Sequence, residues 1–220
     1  MSDKSRCNRR GFIRVLSGLS ALAAGFSSRC LFATDFVKNR FGERMIERYP
    51  PFDDARSKKV MFVAHCILNQ NARINTCAYT PAAIPKIPEC LLRRNIAIIQ
   101  MPCPELACLG LGRGGPEQIY DQLSTPGDRR YLRSIARDVV YQAMQYRKQG
   151  FRVLGVLGID GSPSCGVDIT YYSGEKPGKG AFIEELTQAL ADAKLDFPVK
   201  GVMDAKPDEA ETLIATLDPE

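Results

Sequence analysis

The chain carries a single histidine, His65, in 220 residues. That excludes most zinc sites that use two imidazoles and argues against a Ser–His or Cys–His nucleophile pair. His65 adjoins Cys66, and if the preceding strand continues there the two side chains point to opposite faces. His65 therefore reads as a packed, hydrogen-bonded residue rather than a co-ligand. There is no CxxC pair and no ferredoxin-like run of close cysteines. No apolar run reaches the ~20 residues a membrane-spanning helix needs, so no stable span is expected in the mature chain. The Gly-rich stretch Leu109-Gly110-Leu111-Gly112-Arg113-Gly114-Gly115 lacks the spacing of a nucleotide-binding fingerprint. No internal repeat or low-complexity tract is present.

A basic face is missing as well. The formal charge of +5 belongs to residues 1–33, where Lys4, Arg6, Arg9, Arg10, Arg14 and Arg29 stand against Asp3. The remainder balances, 24 basic side chains to 24 acidic, so nucleic-acid binding is not expected. Within the leader, Asn8-Arg9-Arg10-Gly11-Phe12-Ile13-Arg14 precedes a weakly apolar stretch, Val15 to Phe26. Paired arginines, a nearby aromatic and a modest hydrophobic region resemble a twin-arginine signal peptide. The expectation is an exported, periplasmic protein that engages the twin-arginine export machinery, which moves folded, cofactor-loaded chains. Cleavage falls either after Ala21-Leu22-Ala23 or near Ala33.

What the chain does have is short apolar runs that do not alternate. Val60 to Ala64, Ile96 to Met101 and Val153 to Ile159 read as strands buried on both faces, and therefore as a parallel sheet. Pro85 to Arg94, Asp128 to Gln149 (closed by Gly150), Gly180 to Lys194 and Pro207 to Leu217 read as helices, and Val199 to Met203 as a fourth strand. The order predicts an α/β fold: a single three-layer domain with a small, mostly parallel sheet and helices on both faces. Residues 1–33 form the leader, 34–58 a spacer with one short helix around Phe41 to Arg48, and 59–220 the domain.

Each of the first three strands is followed by a cysteine: Cys66, Cys103 and Cys165. Ligands of open parallel sheets bind beyond the carboxyl ends of the strands, so three thiols distant in sequence are expected at one edge. Their loops hold polar groups and turn formers, Cys66-Ile67-Leu68-Asn69-Gln70-Asn71, Cys103-Pro104-Glu105 and Ser162-Pro163-Ser164-Cys165-Gly166. Such groups supply the donors a thiolate needs. Buried cysteines also act as small hydrophobes or pair as disulfides, and Cys77, Cys90 and Cys108 are read that way, without a role. Arg73 and Arg113 fall in loops on the same edge, either facing a ligand or solvated at the surface.

In their order and spacing, Cys66, Cys103-Pro104-Glu105 and Ser162-Pro163-Ser164-Cys165-Gly166 resemble the thiouracil desulfidase family over roughly Lys59 to Met203. The resemblance implies a [4Fe-4S] cluster on Cys66, Cys103 and Cys165, with one iron free of protein ligands to take the sulfur of a small thiolated substrate. It implies Glu105 as proton shuttle and Ser162 or Ser164 as the hydroxyl that positions substrate or stabilises charge. The implied reaction is hydrolytic, without net electron transfer. The chain departs from that family at Ala72, where a second cysteine before Arg73 is common, at Asn69-Gln70-Asn71, at Ile159-Asp160 and in having a leader. Two other readings stand beside it. One is a non-catalytic iron–sulfur redox or sensor protein, and the other is a metal-free, disulfide-stabilised binding protein. Cys108, five residues past Cys103, is the thiol the sequence offers as a possible closure of the fourth iron.

Overall fold

The computed structural model describes residues 36–38, 44–46 and 52–219. The leader, Cys7, Cys30 and about half of the spacer lie outside them. The chain divides into two units, Met1–Arg48 and Tyr49–Glu220. In the first, β1 (Phe36–Lys38) pairs antiparallel with β2 (Arg44–Ile46). The helix expected around Phe41 to Arg48 is thus replaced, over the described residues, by a strand. A segment that short gains too little from helix propagation to offset nucleation.

The second unit is an α/β domain with a four-stranded parallel sheet. Its strands are β3 (Lys59–Val63), β4 (Ala97–Gln100), β5 (Arg152–Ile159) and β8 (Val199–Val202), in the order β4-β3-β5-β8. β3 and β5 occupy the centre and are buried from Val60 to Val63 and from Leu154 to Ile159, as unbroken apolar runs require. β4 is the exception. It has the same composition but lies at the edge, and its residues are exposed or half-buried.

Helices cover both faces. From β3 the chain crosses outward to β4 through α1 (His65–Leu68), a 3-10 turn (Gln70–Ala72) and α2 (Lys86–Arg93). It then returns past β3 to β5 through α3 (Pro104–Leu109), α4 (Pro116–Leu123) and α5 (Pro126–Lys148), and continues through α6 (Ala181–Asp192) to β8. Right-handed crossovers in opposite directions put their helices on opposite faces, so α5 packs with α6 and α2 with the last helix, α7 (Pro207–Leu217). The reversal makes the carboxyl ends of β3 and β5 a switch point, where such sheets open a crevice.

α5 shows how local sequence sets these boundaries. Thr125 caps it, accepting from the Asp128 amide at 3.2 Å and donating to the Asp128 carboxylate at 2.5 Å. Pro126 takes the first turn, Arg147 and Lys148 the last, and Gly150 leaves it at φ +79°. α3, α4 and the hairpin of β6 (Ile169–Tyr171) with β7 (Glu175–Pro177) were not foreseen, because elements of three to eight residues carry little periodicity. Among the described residues no helix is long and apolar enough to cross a membrane.

Candidate active site

Strand order brings the three thiols together. β4 and β5 flank β3, and the ladder runs past their ends. Met101 N donates to Val63 O at 2.9 Å and Ala64 N to Leu157 O at 2.8 Å. The strand does not continue through His65, so the condition under which His65 and Cys66 would point to opposite faces is not met. Residues 65 and 66 open α1 instead, so His65 and Cys66 face one cavity rather than opposite sides. His65 is half-buried, and its Nε2 lies 3.3 Å from Asn69 Nδ2. Cys103 caps α3, its Sγ accepting from Leu106 N at 3.4 Å. Cys165 is buried in the loop after β5.

Cys66, Cys103, Cys165, Glu105, Ser162 and Ser164 all line one cavity of about 70 Å³ at the switch point. Glu105 is buried in its wall. Its Oε2 accepts from Arg113 Nε at 2.9 Å, and its Oε1 from Ser164 Oγ at 2.6 Å and, more weakly, from Ser162 Oγ at 3.4 Å. Ser164 Oγ is also 3.6 Å from Cys165 Sγ. Carboxylate, hydroxyl and thiol thus form one chain. Arg113 is not a surface arginine: its side chain is 3% exposed, and it also donates to Ala72 O at 2.7 Å and Gly110 O at 3.0 Å. Arg73 likewise stands in the cavity wall and pairs with Asp204.

The Ser162–Gly166 loop is held from three sides. Ser162 Oγ accepts from Cys165 N at 3.1 Å, closing the turn. The first-turn amides of α6, which has no side-chain cap, donate to Pro163 O and Ser164 O at 3.0 Å each, so loop and helix satisfy each other. Asp160 Oδ1 accepts from the amides of Val167, Asp168 and Ile169 at 2.9–3.3 Å and secures the return. Gly166 is obligatory, because a Cβ there would fall 2.2 Å from Ile169 O.

Burial dominates the electrostatics. It pushes the Cys66 thiol up to about 12, against the opposing pull of Arg73. Burial raises Cys103 too, partly offset by the Leu106 amide. Cys165 is raised well above the ordinary value by burial and then by its neighbours Cys66 and Cys103. The three thiols are therefore protonated at neutral pH unless a cationic centre compensates them, and metal binding displaces those protons. Among the described residues no set of three or more His, Cys, Asp or Glu side chains is spaced to hold a single metal ion. An iron–sulfur cluster is gripped at its corners by thiolates set wider than the ligands of one ion, and an all-sulfur donor set suits it. Three thiols at one cavity are the donor type such a cluster takes.

Of the cysteines read as having no role, one departs from that reading. Cys108, offered as a possible closure of the fourth iron, is directed at Asp128 and does not line the cavity. Cys77, assigned no role, does line it. Of the three cysteines assigned no role, Cys90 sits in the core as a small hydrophobe and Cys108 packs against that core. Sequence reasoning noted Asp160 only as a departure from the family and gave it no role. A signal was available in its position, immediately after a buried strand and before a turn.

A parallel α/β domain with a thiol-lined cavity at its switch point defines the class to which the chain belongs. No family model matches it. It is 30% identical to the uncharacterized protein MJ0003 of Methanocaldococcus jannaschii over 112 residues, 51% of this chain and 70% of that protein. The chain is a member of the family of that archaeal protein. Among solved structures, a [4Fe-4S]-dependent thiouracil desulfidase, TudS, superposes on 72% of this chain and 99% of its own with a TM-score of 0.40 at 16% identity. A likeness at that level says nothing about chemistry, which has to be read from the cavity.

Proposed function

We propose that the protein holds a [4Fe-4S] cluster on Cys66, Cys103 and Cys165 and removes sulfur from a small thiolated molecule by hydrolysis. The observation that carries the reading is the convergence of these thiols with the Glu105–Ser164–Cys165 chain in one cavity. The motif resemblance supports it independently. When bound, the cluster supplies a Lewis-acidic iron able to polarise a carbon–sulfur double bond.

The protein's own part is proton handling and positioning. Arg113 fixes the Glu105 carboxylate through Oε2 and leaves Oε1 facing the two serines. Glu105 Oε1 is the atom that takes the proton from an attacking water, relayed through the Ser164 hydroxyl. Ser162 Oγ accepts from the Ser164 and Cys165 amides, and its O–H, held by a long 3.4 Å bond to Glu105 Oε1, can turn toward the substrate. Ile74, Pro104 and Ile119 in the wall limit competing water. The net reaction exchanges the sulfur of a thiocarbonyl for the oxygen of water and releases hydrogen sulfide. No electron is transferred, so no redox partner is needed.

The test is anaerobic reconstitution with iron and sulfide, followed by iron analysis and a screen of thiolated heterocycles for sulfide release. About four irons per chain, lost in Cys66→Ala, Cys103→Ala or Cys165→Ala, together with substrate-dependent sulfide, supports the proposal. A chain that takes up no iron overturns it. Iron uptake without sulfide release from any substrate turns the reading toward a redox or sensor protein. The leader belongs to the same reading: export of the folded, loaded protein to the periplasm, supported by Arg9, Arg10 and Phe12 in their signal-like setting.

A further inference from the structure

His65, the single histidine of the chain, shares the cavity wall with Cys66, Glu105 and Ser164. Its ring is oriented by the residues that follow it. Asn69 Oδ1 accepts from the Asn71 amide at 3.1 Å, so the Asn69 side chain turns its Nδ2 to the imidazole, 3.3 Å from Nε2. An amide NH₂ group only donates. Nε2 therefore accepts, and the proton of the ring sits on Nδ1. Among the described residues no hydrogen bond engages Nδ1. The backbone beneath the ring is fixed as well, because His65 O accepts from Asn69 N and from Gln100 Nε2, at 3.0 Å each. Asn69 and Asn71 belong to the stretch in which this chain departs from the thiouracil desulfidase pattern, so the arrangement is a feature of this chain.

We infer that His65 is a substrate-binding residue: its Nδ1–H donates to an acceptor atom of the thiolated molecule, a carbonyl oxygen or an unprotonated ring nitrogen near the carbon–sulfur double bond. The inference rests on the desulfidase reading and deepens it by naming the edge that the substrate presents. With Nε2 engaged by Asn69, Nδ1–H is the ring group left for whatever enters the cavity. Arg73, which lines the same cavity and whose charge acts on the Cys66 thiol, likewise only donates. Around Cys66 the polar groups that this segment offers are therefore donors. A molecule with acceptors on that edge is held, whereas one with N–H groups there meets donors and leaves them unpaired, which is how a site built to hydrogen-bond its ligand rejects the wrong one. Asn69 is a positioning residue, acting through the ring it orients.

Two measurements on the full chain test this. With one histidine, ¹⁵N-histidine labelling of the cluster-free wild type gives a single pair of ring signals, and no substitution is involved. At about pH 8, above the ordinary imidazole range, Nδ1 should show the shift of a protonated nitrogen and Nε2 that of an unprotonated one. The second measurement titrates anaerobically reconstituted protein with two probes and follows the change in cluster absorption. Pyrimidine-2-thione carries an unprotonated ring nitrogen beside its thiocarbonyl, and imidazole-2-thione carries only N–H groups there. His65→Leu should weaken pyrimidine-2-thione about tenfold, the effect of one lost hydrogen bond, and leave imidazole-2-thione unchanged. His65→Asn, whose amide nitrogen stands close to the place of Nδ1, should restore most of the loss. A ring protonated on Nε2, or His65→Leu binding both probes as wild type does or losing both equally, overturns the inference and leaves the cluster reading intact. A wild type that takes up no iron overturns both.

Discussion

Ser164 donates to Glu105 across 2.6 Å, although the two residues are 59 positions apart and belong to loops after different strands. Arg113 holds the far oxygen of the carboxylate, and the first turn of α6 holds the backbone of the serine. The contact joins a proton carrier to the loop that bears Cys165.

Glu105→Gln should keep the iron content of the reconstituted protein and lower sulfide release by about 10²- to 10⁴-fold, the range for a positioned acid–base group. Ser164→Ala should lower it as well, with iron again retained. Parallel iron and sulfide assays check both. Loss of iron in Glu105→Gln would show that the carboxylate supports the ligands rather than the reaction.

Arg113→Met should be costly to the fold. It strands a buried carboxylate with no counter-charge, a loss of about 3–5 kcal/mol for a buried pair. Replacing both members, as Arg113→Met with Glu105→Gln, should recover a good part of it. Urea midpoints of the cluster-free single and double variants measure the coupling.

Alkali should destabilise the cluster-free protein. Cys66 is pushed up to about 12 and Cys108 to about 11 by burial, from an ordinary 9.0. Above pH 9 the unfolded chain therefore loses thiol protons that the folded chain retains. Stability is fully present below pH 9 and declines as pH rises toward 12. Denaturant midpoints from pH 7 to 11 should fall in wild type and fall less steeply in Cys66→Ala.

Asp160→Ala removes the acceptor of three amides and should cost about 1–3 kcal/mol. Because those amides set the return of the Cys165 loop, the variant should also release iron faster to a chelator than wild type does. Asp160→Asn keeps one acceptor oxygen and should fall between the two.

Substituting Arg9→Lys together with Arg10→Lys should leave the precursor in the cytoplasm of an expressing bacterium, whereas the unaltered chain should reach the periplasm. Cell fractionation with an immunoblot checks the outcome.

Much of the frame was legible along the chain. The unbroken apolar runs identified β3 and β5, because only a strand covered on both faces can dispense with alternation. Pro207 to Leu217 forms α7 with the boundaries its pattern predicts. The same rule misjudged β4, since composition cannot distinguish a central strand from an edge. α3 and α4 were missed because one or two turns of helix show no period.

The sequence by itself determined which residue types were available: three thiols after three strands, a carboxylate beside one and hydroxyls beside another. Only the tertiary structure decided that they meet, because convergence depends on β3 lying between β4 and β5, and strand order is not written in any local pattern. It also decided that Arg113 is buried against Glu105, that Arg73 finds Asp204 131 positions away, and that Cys77 rather than Cys108 reaches the cavity. Charge pairing and burial arise between segments, so they exist only once the segments are packed.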